Sequence, residues 1–510
     1  LNTLEGLAFS VGNGILDLTG GDVIIDDPSL NAIALNGGAL TVFSNLTVNA
    51  LSQNSGTFTM AGTSKDLTVA NTLVLAGALD FTGANLLLDT ATVTLNNGAN
   101  ITYDQNLPVD TITMNGNATL TLNNSALLPG TLTLNSGTLN HNDAGMVATN
   151  VTINGGTLNH LNHPFHADSL TFNGGTFNLG TNALNVGSLL ARAGGTFNVT
   201  GPITGTTKLS FEPIRVVDNL LAGSADLIIG ELKTSNGAVT LTATNTYTGK
   251  TQIERGVLRA DEGAGLPTDS LLEFSLDNSA QHGIFETAGV FDRKIGSSTG
   301  QVQWVGHGGF AARGGPLTVS LTRNDEAAVP LAWNDAENGF GNAILTFGSE
   351  SADSLVELTN DIEMDQNGEI RVHENNDATI TSDVFKVSGD IVESGGSQFL
   401  IKTGAGVLWL SGSNTWNGIT YLRDGGTLRA VDGMGLSTND SYLRFENGIF
   451  ESWGTFARNI GAQADSGKVY WQNKGGFAAF GGNLDVMLEQ ETPGPLNWND
   501  GDTGFRSQEL

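Results

Sequence analysis

A short phrase that recurs at a near-regular interval constrains this chain more than any other feature. Leu132-Thr-Leu-Asn-Ser-Gly-Thr-Leu-Asn140, Val151-Thr-Ile-Asn-Gly-Gly-Thr-Leu-Asn159 and Leu170-Thr-Phe-Asn-Gly-Gly-Thr-Phe-Asn178 are variants of one pattern. The apolar residue after the turn falls at Leu16, Leu40, Phe58, Leu79, Ile101, Leu120, Leu139, Leu158, Phe177 and Phe197. From Ile101 onward the differences between successive numbers are 19, 19, 19, 19 and 20, and the earlier ones run from 18 to 24. Within each unit apolar residues alternate with Thr, Asn or Ser, the period of a strand with one buried face. Asn-Gly and Gly-Gly pairs supply turns that need positive φ. Such short strands at this spacing fit a solenoid in which each repeat is one coil and equivalent strands stack in parallel. One coil cannot bury its apolar residues alone; stacking makes a continuous Leu and Phe core. Asn140, Asn159, Asn178 and Asn198 share one position and are expected to form an amide ladder from coil to coil.

Composition divides the chain. Residues 1–237 hold 5 Lys plus Arg, 16 Asp plus Glu, 31 Asn and no Trp; residues 238–510 hold 17, 36 and all seven Trp. The stretch 201–237, with Pro202 and Pro213, interrupts the short period. The expected organisation is a short-repeat β-solenoid over 1–200 and irregular linking coils over 201–237. A long repeat unit follows over 238–405, then a second, truncated unit over 406–510.

The long unit is read from phrases that recur at an offset of roughly 165–171 in residue number. Asn245-Thr-Tyr-Thr-Gly249 returns as Asn414-Thr-Trp-Asn-Gly418, and Gly256-Val-Leu-Arg-Ala260 as Gly426-Thr-Leu-Arg-Ala430. Gly283-Ile-Phe-Glu286 returns as Gly448-Ile-Phe-Glu451, Gly308-Gly-Phe-Ala-Ala312 as Gly475-Gly-Phe-Ala-Ala479, and Trp333-Asn-Asp335 as Trp498-Asn-Asp500. These phrases, Val239 to Ala260 and more fully Gly404 to Ala430, resemble the autotransporter-associated β-strand repeat, also called the passenger-associated transport repeat. The resemblance covers about 238–510. It implies an all-β, right-handed parallel β-helix. The repeat period would give about 19–20 residues per coil in the first half, with longer, less regular coils in the second. The resemblance further implies export to a bacterial surface or secretion, with no catalytic residues to carry over. Leu1 to Phe9 has neither a basic region nor an apolar core, so export would use a signal and anchor outside this stretch. Phe505 aligns with Phe340 and Leu510 with Leu345, and the first copy continues past that point. The expectation is therefore a segment of a longer protein, or a coil end that meets a neighbouring subunit.

Charge and cysteine content exclude other classes. With 22 Lys plus Arg against 52 Asp plus Glu the net charge is -30, which rules against nucleic-acid binding through phosphates. There is no cysteine, hence no disulfide, thiolate catalysis or cysteine-ligated metal. No apolar run approaches the length of a membrane-spanning helix.

Four of the seven histidines, His141, His160, His163 and His166, crowd into one short stretch. Neutral imidazoles in such a group could hold zinc or copper; the alternative is a polar ladder on a loop face. Glu363-x-Asp365-x-Asn367-Gly368-x-Ile370-x-x-x-Glu374 approaches a calcium loop, but its flanks alternate like strands, so a glycine turn between strands is the better reading. The acidic loops Asn334–Glu337 and Asn499–Asp502 are further weak calcium candidates. No metal or cofactor is assigned. Gly306-His307-Gly308 has the look of a pectin-hydrolase motif, yet its second copy carries Lys474, and paired carboxylates at hydrolase spacing are missing. A fold shared with enzymes confers no activity. Most tryptophans are expected in the core, with a surface role open for Trp409, Trp416 or Trp453. The resulting expectation is a non-enzymatic extracellular structural or adhesive protein, a stalk, surface layer or fibre, whose partners are its own repeats or neighbouring subunits. A glycan-binding adhesin is the first alternative, and a carbohydrate-active lyase or hydrolase the second.

Overall fold

The computed structural model describes residues 2–3, 10–18, 22–25, 29–42, 45–60, 65–77, 79–80, 84–88, 91–103, 109–123, 129–142, 145–192, 195–199, 201–212, 215–231, 237–275, 283–374, 384–437, 441–461, 467–489, 494–498 and 504–505. Among these, every regular element is a strand. The chain forms two compact units, Leu1–Phe211 with Asp218–Ala225, and Glu212–Val217 with Asp226–Leu510. Each is a parallel β-helix.

In the first unit the sequence phrase is a rung. Strands Asn100–Tyr103, Thr119–Leu122, Thr138–His141, Thr157–Asn159, Gly175–Gly180 and Gly195–Val199 stack in parallel. Their register aligns Ile101, Leu120, Leu139, Leu158, Phe177 and Phe197 one above another. Leu139, Leu158 and Phe177 are fully buried, because a two-residue side-chain period turns every second residue into the coil. A second stack, including Thr131–Leu134, Met146–Ile153, Phe165–Phe172 and Leu184–Ala191, closes the other side of the core.

The amide ladder forms at the expected residues. Asn159 Nδ2 donates to Asn140 Oδ1 at 2.7 Å, and Asn178 to Asn159 and Asn198 to Asn178 at 2.6 Å each. A parallel ladder that the sequence reading missed runs from Asn173 through Asn154, Asn135 and Asn115 to Asn96, with bonds of 2.7–3.0 Å. In both ladders each bond runs from an amide nitrogen to the amide oxygen of the preceding coil. The phrase misplaces one residue: Leu16 pairs with Ile33, whereas Leu40 pairs with Val23. Near the chain start each coil carries similar alternating segments on both stacks, and alternation alone does not tell which stack a segment joins.

In the second unit the long-range recurrence is structural equivalence. Phe274 packs on Trp304 (centroids 5.2 Å apart) and Phe291 on Phe310 (4.8 Å). Their counterparts Phe445 and Trp471 lie 4.9 Å apart, and Phe456 and Phe477 4.8 Å. Trp304 Nε1 donates to Gly308 O at 3.0 Å, and Trp471 Nε1 to Gly475 O at 2.9 Å. Both copies also place a bulge at the same point: Thr287 pairs with Ala312 and Gly289 with Leu317, while Ser452 pairs with Ala479 and Gly454 with Leu484.

Candidate functional site

The outer face of the second unit carries a charged rung in each copy. In Gly256–Ala260 the alternation sends Leu258 inward and leaves Arg259 outward, opposite Glu286 of the next strand. Arg259 Nε donates to Glu286 Oε1, while Ser349 and Ser351 Oγ each donate to Oε2 at 2.7 Å. Arg259 Nη2 also donates to Ser351 Oγ at 2.8 Å. Glu286 is fully buried although it faces away from the core, because residues 349–351 fold over it. Burial of a carboxylate is sustained only by such a partnered, hydrogen-bonded arrangement. In the second copy Arg429 pairs with Glu451 in the same register. There Phe480 lies 3.6 Å from the guanidinium and Trp409 5.6 Å, so aromatic rings cover the rung.

Other buried polar groups brace the coils. Arg293 donates from Nε to Glu262 Oε1 at 2.8 Å, from Nη2 to the Pro267 carbonyl at 3.0 Å, and to the Ser270 carbonyl. Arg458 repeats this with Asp432, the Ser437 carbonyl at 3.0 Å and the Ser441 carbonyl. Lys402 is fully buried and donates to the Thr403 and Gly404 carbonyls at 2.7 and 2.6 Å. Burial pushes its amine down to about 7. Sequence reasoning singled out none of these as polar anchors. The recurrence of Phe-x-Arg at Phe291 and Phe456 was the available signal for the arginines.

The histidines separate into two settings. His141 and His160 stack inside the coil, 4.8 Å between centroids, with their Nδ1 atoms 2.7 Å apart. Burial, and secondarily the neighbouring His141, pushes His160 down to about 4. His163 is half-buried in the following turn, and His166 is exposed on the outer face, in register with Val147 and Asn185. The structure thus does not gather the four as one ligand set. Among the described residues no group of three or more His, Asp or Glu is placed to hold a metal ion.

The calcium-like segment is a turn between strands Ile362–Met364 and Gly368–Val372. Its oxygens serve neighbouring coils: Asp365 Oδ1 accepts from Asn334 N, and Asn367 Oδ1 from Phe399 N, each at 2.9 Å. Asp335 is held by the backbone of Glu337 and Asn338 in a local turn. The loop 499–502 lies outside the described residues. His307 Nδ1 accepts from Ile344 N at 3.0 Å, a backbone-bracing role. Trp304, Trp333, Trp416 and Trp471 are core residues, and Trp409 and Trp453 are half-buried. The equivalence of Trp333 and Trp498 does not extend to burial, since Trp498 is 52% exposed. Trp333 is covered by the coil at Gly368, where a Cβ would come within 2.9 Å of its ring.

Residues 232–260 and 400–430 match the Passenger-associated-transport-repeat family. No curated protein and no solved structure matches the chain. The fold is an all-β parallel β-helix whose second unit is built from two copies of a long repeat. The two matched segments support an autotransporter passenger-type repeat protein. The repeat implies a secreted or cell-surface bacterial protein.

Proposed function

We propose that this chain is a structural and adhesive surface element that acts without catalysis, by stacking coils and by stacking onto neighbouring subunits or further repeats. The observation that carries the reading is the pair of equivalent long strands. In Gly308–Thr322, Leu317, Val319 and Leu321 are buried, and strand Val356–Leu358 pairs alongside. The equivalent Gly475–Glu489 carries Leu484, Val486 and Leu488 at the same positions and pairs with Gly448–Ile460. A strand of this pattern takes another parallel strand of the same kind, as Gly308–Thr322 takes Val356–Leu358. Electron microscopy of the native material tests this: ordered filaments or layers support it, and monodisperse particles at high concentration count against self-assembly. Turnover of any acidic polysaccharide would overturn the non-catalytic reading.

A second reading, recognition of surface glycans, is favoured by the aromatic and basic outer ladders. Lys386, Trp409 and Arg429 stand in one register, and Arg423 and Arg444 lie 4.5 and 5.3 Å from the Tyr421 ring centre. Aromatic faces next to charged hydrogen-bond donors suit sugar rings. A glycan array without hits would count against this second reading.

A further inference from the structure

We propose that the first repeat copy carries a binding site for a single anionic sugar residue, between the Arg259–Glu286 rung and the bulge at Arg313. The inference rests on the glycan-recognition reading above and gives it a location and a ligand class.

The two copies share the rung but not what surrounds it. Trp409 stands in register beside Arg429, and Thr240 holds the same place beside Arg259. The first residue of the bulge is Phe480 in the second copy and Arg313 in the first. Two aromatic rings fill the space over Arg429. Over Arg259 there is instead a cavity of about 320 Å³, lined by Thr240, Thr242, Arg259, Asp261, Glu286, Thr287 and Arg313 among others. That lies at the small end of ligand-binding pockets, roughly 300–1,000 Å³, a size for one sugar ring and not a polymer segment.

Two groups of the lining, Thr287 and Arg313, keep hydrogen-bonding capacity to spare. Thr287 is 4% exposed, and its Oγ1 has no hydrogen-bond partner among the described residues. A buried hydroxyl without a partner is costly and marks a place where a ligand or water bonds. Arg313 reaches Glu286 only at 3.9 Å, its side chain 43% exposed. Glu286 is already satisfied by Arg259, Ser349 and Ser351. The guanidinium fork of Arg313 therefore keeps its donors for a second anion. The bulge that carries it is pinned: Gly314 N donates to Asp353 Oδ1 at 2.8 Å and Asp353 N to the Ala312 carbonyl at 3.0 Å. Bulges of this kind re-aim a side chain next to a site.

These groups define the ligand. A planar fork matches a carboxylate or sulfate ester. Thr287 offers a hydroxyl to a sugar hydroxyl, and Asp261 at the rim accepts from another. A polyanion is disfavoured by the chain's net charge of -30, so one charged group per ligand is expected.

Titration calorimetry of the whole chain with sodium glucuronate, glucose 6-sulfate, glucose and sodium acetate tests the proposal. Binding of glucuronate or glucose 6-sulfate is expected, whichever binds identifying the carboxylate or the sulfate source. Glucose and acetate should bind at least tenfold more weakly. Arg313→Phe, which installs the residue of the second copy at the same bulge, should weaken binding at least tenfold with an unchanged melting temperature, and Thr287→Val should weaken it severalfold. No binding of either anionic sugar, or equal binding by Arg313→Phe, overturns the proposal. Acetate binding as tightly as glucuronate reduces the site to an anion site and overturns the sugar assignment. Failure here together with hits on a glycan array would discard this site and leave glycan recognition standing elsewhere on the surface.

Discussion

His141 and His160 share a hydrogen bond between Nδ1 atoms 2.7 Å apart inside the first unit. His160 Nε2 faces the Pro164 carbonyl at 3.3 Å and so carries a proton. Its Nδ1 then accepts, and His141 Nδ1 donates. This arrangement needs the His160 ring neutral, because its Nδ1 must accept. His160 is held down to about 4 against an unfolded value of 6.5, so the unfolded chain takes up the proton first as pH falls. The contribution of His160 is full above about pH 6.5 and is lost progressively towards pH 4, by about 3 kcal/mol. Denaturation midpoints at pH 7.5, 5.5 and 4 check this. A His141→Leu, His160→Leu double variant should lose less stability over that range than the parent, and an identical pH dependence would refute the assignment.

Removing the guanidinium at Arg293 leaves Glu262 and two loop carbonyls without their donor. Since Arg293 is 5% exposed, Arg293→Met should destabilise the second unit by about 3–5 kcal/mol. Arg458→Met should do the same through Asp432. Urea denaturation followed by tryptophan fluorescence reads the loss, and a change below about 1 kcal/mol would show that these bonds are replaced by water.

Asn159 sits mid-ladder, donating to Asn140 and accepting from Asn178. Asn159→Ala should cost about 1–3 kcal/mol through two broken bonds. Asn159→Asp should cost more at neutral pH, because a carboxylate cannot donate to Asn140 Oδ1. Thermal melts by circular dichroism, compared with an exposed control such as Asn150→Ala, provide the measurement.

Gly156 has φ of 74°, and a Cβ there would lie 2.5 Å from the Gly137 carbonyl oxygen. Stacked turns leave no room for that atom to escape along the coil axis. Gly156→Ala should therefore destabilise by at least about 1–3 kcal/mol, read as a lowered urea midpoint. A neutral outcome would mean the turn can change its type without unstacking the coils.

Much of the fold was legible because a β-helix writes its coil length into the chain. Leu139, Leu158 and Phe177 recur at the spacing that stacks them, and Asn140, Asn159 and Asn178 follow beside them. The site was less legible. Arg259 and Glu286 were visible only as parts of repeated phrases, and neither was read as a partner of the other. Glu286 takes two of its hydrogen bonds from serines far along the chain, at Ser349 and Ser351, and no local pattern records so distant a cover. The histidine group failed as a unit for a related reason. Sequence proximity put four rings together, while alternation placed His141 and His160 inside and His166 outside.

By itself the sequence determined the all-β architecture, the coil period, the equivalence of the two long repeat copies and the amide ladder at Asn140. Each follows from side-chain periodicity and turn chemistry, which act over a few residues and repeat. Only the tertiary structure decided that Leu16 stacks with Ile33, and that the same charged rung is covered by Trp409 and Phe480 in one copy and left as a polar cavity beside Arg313 in the other. Alternation settles which way a side chain points, but what it meets there depends on bulges and loops contributed by other coils.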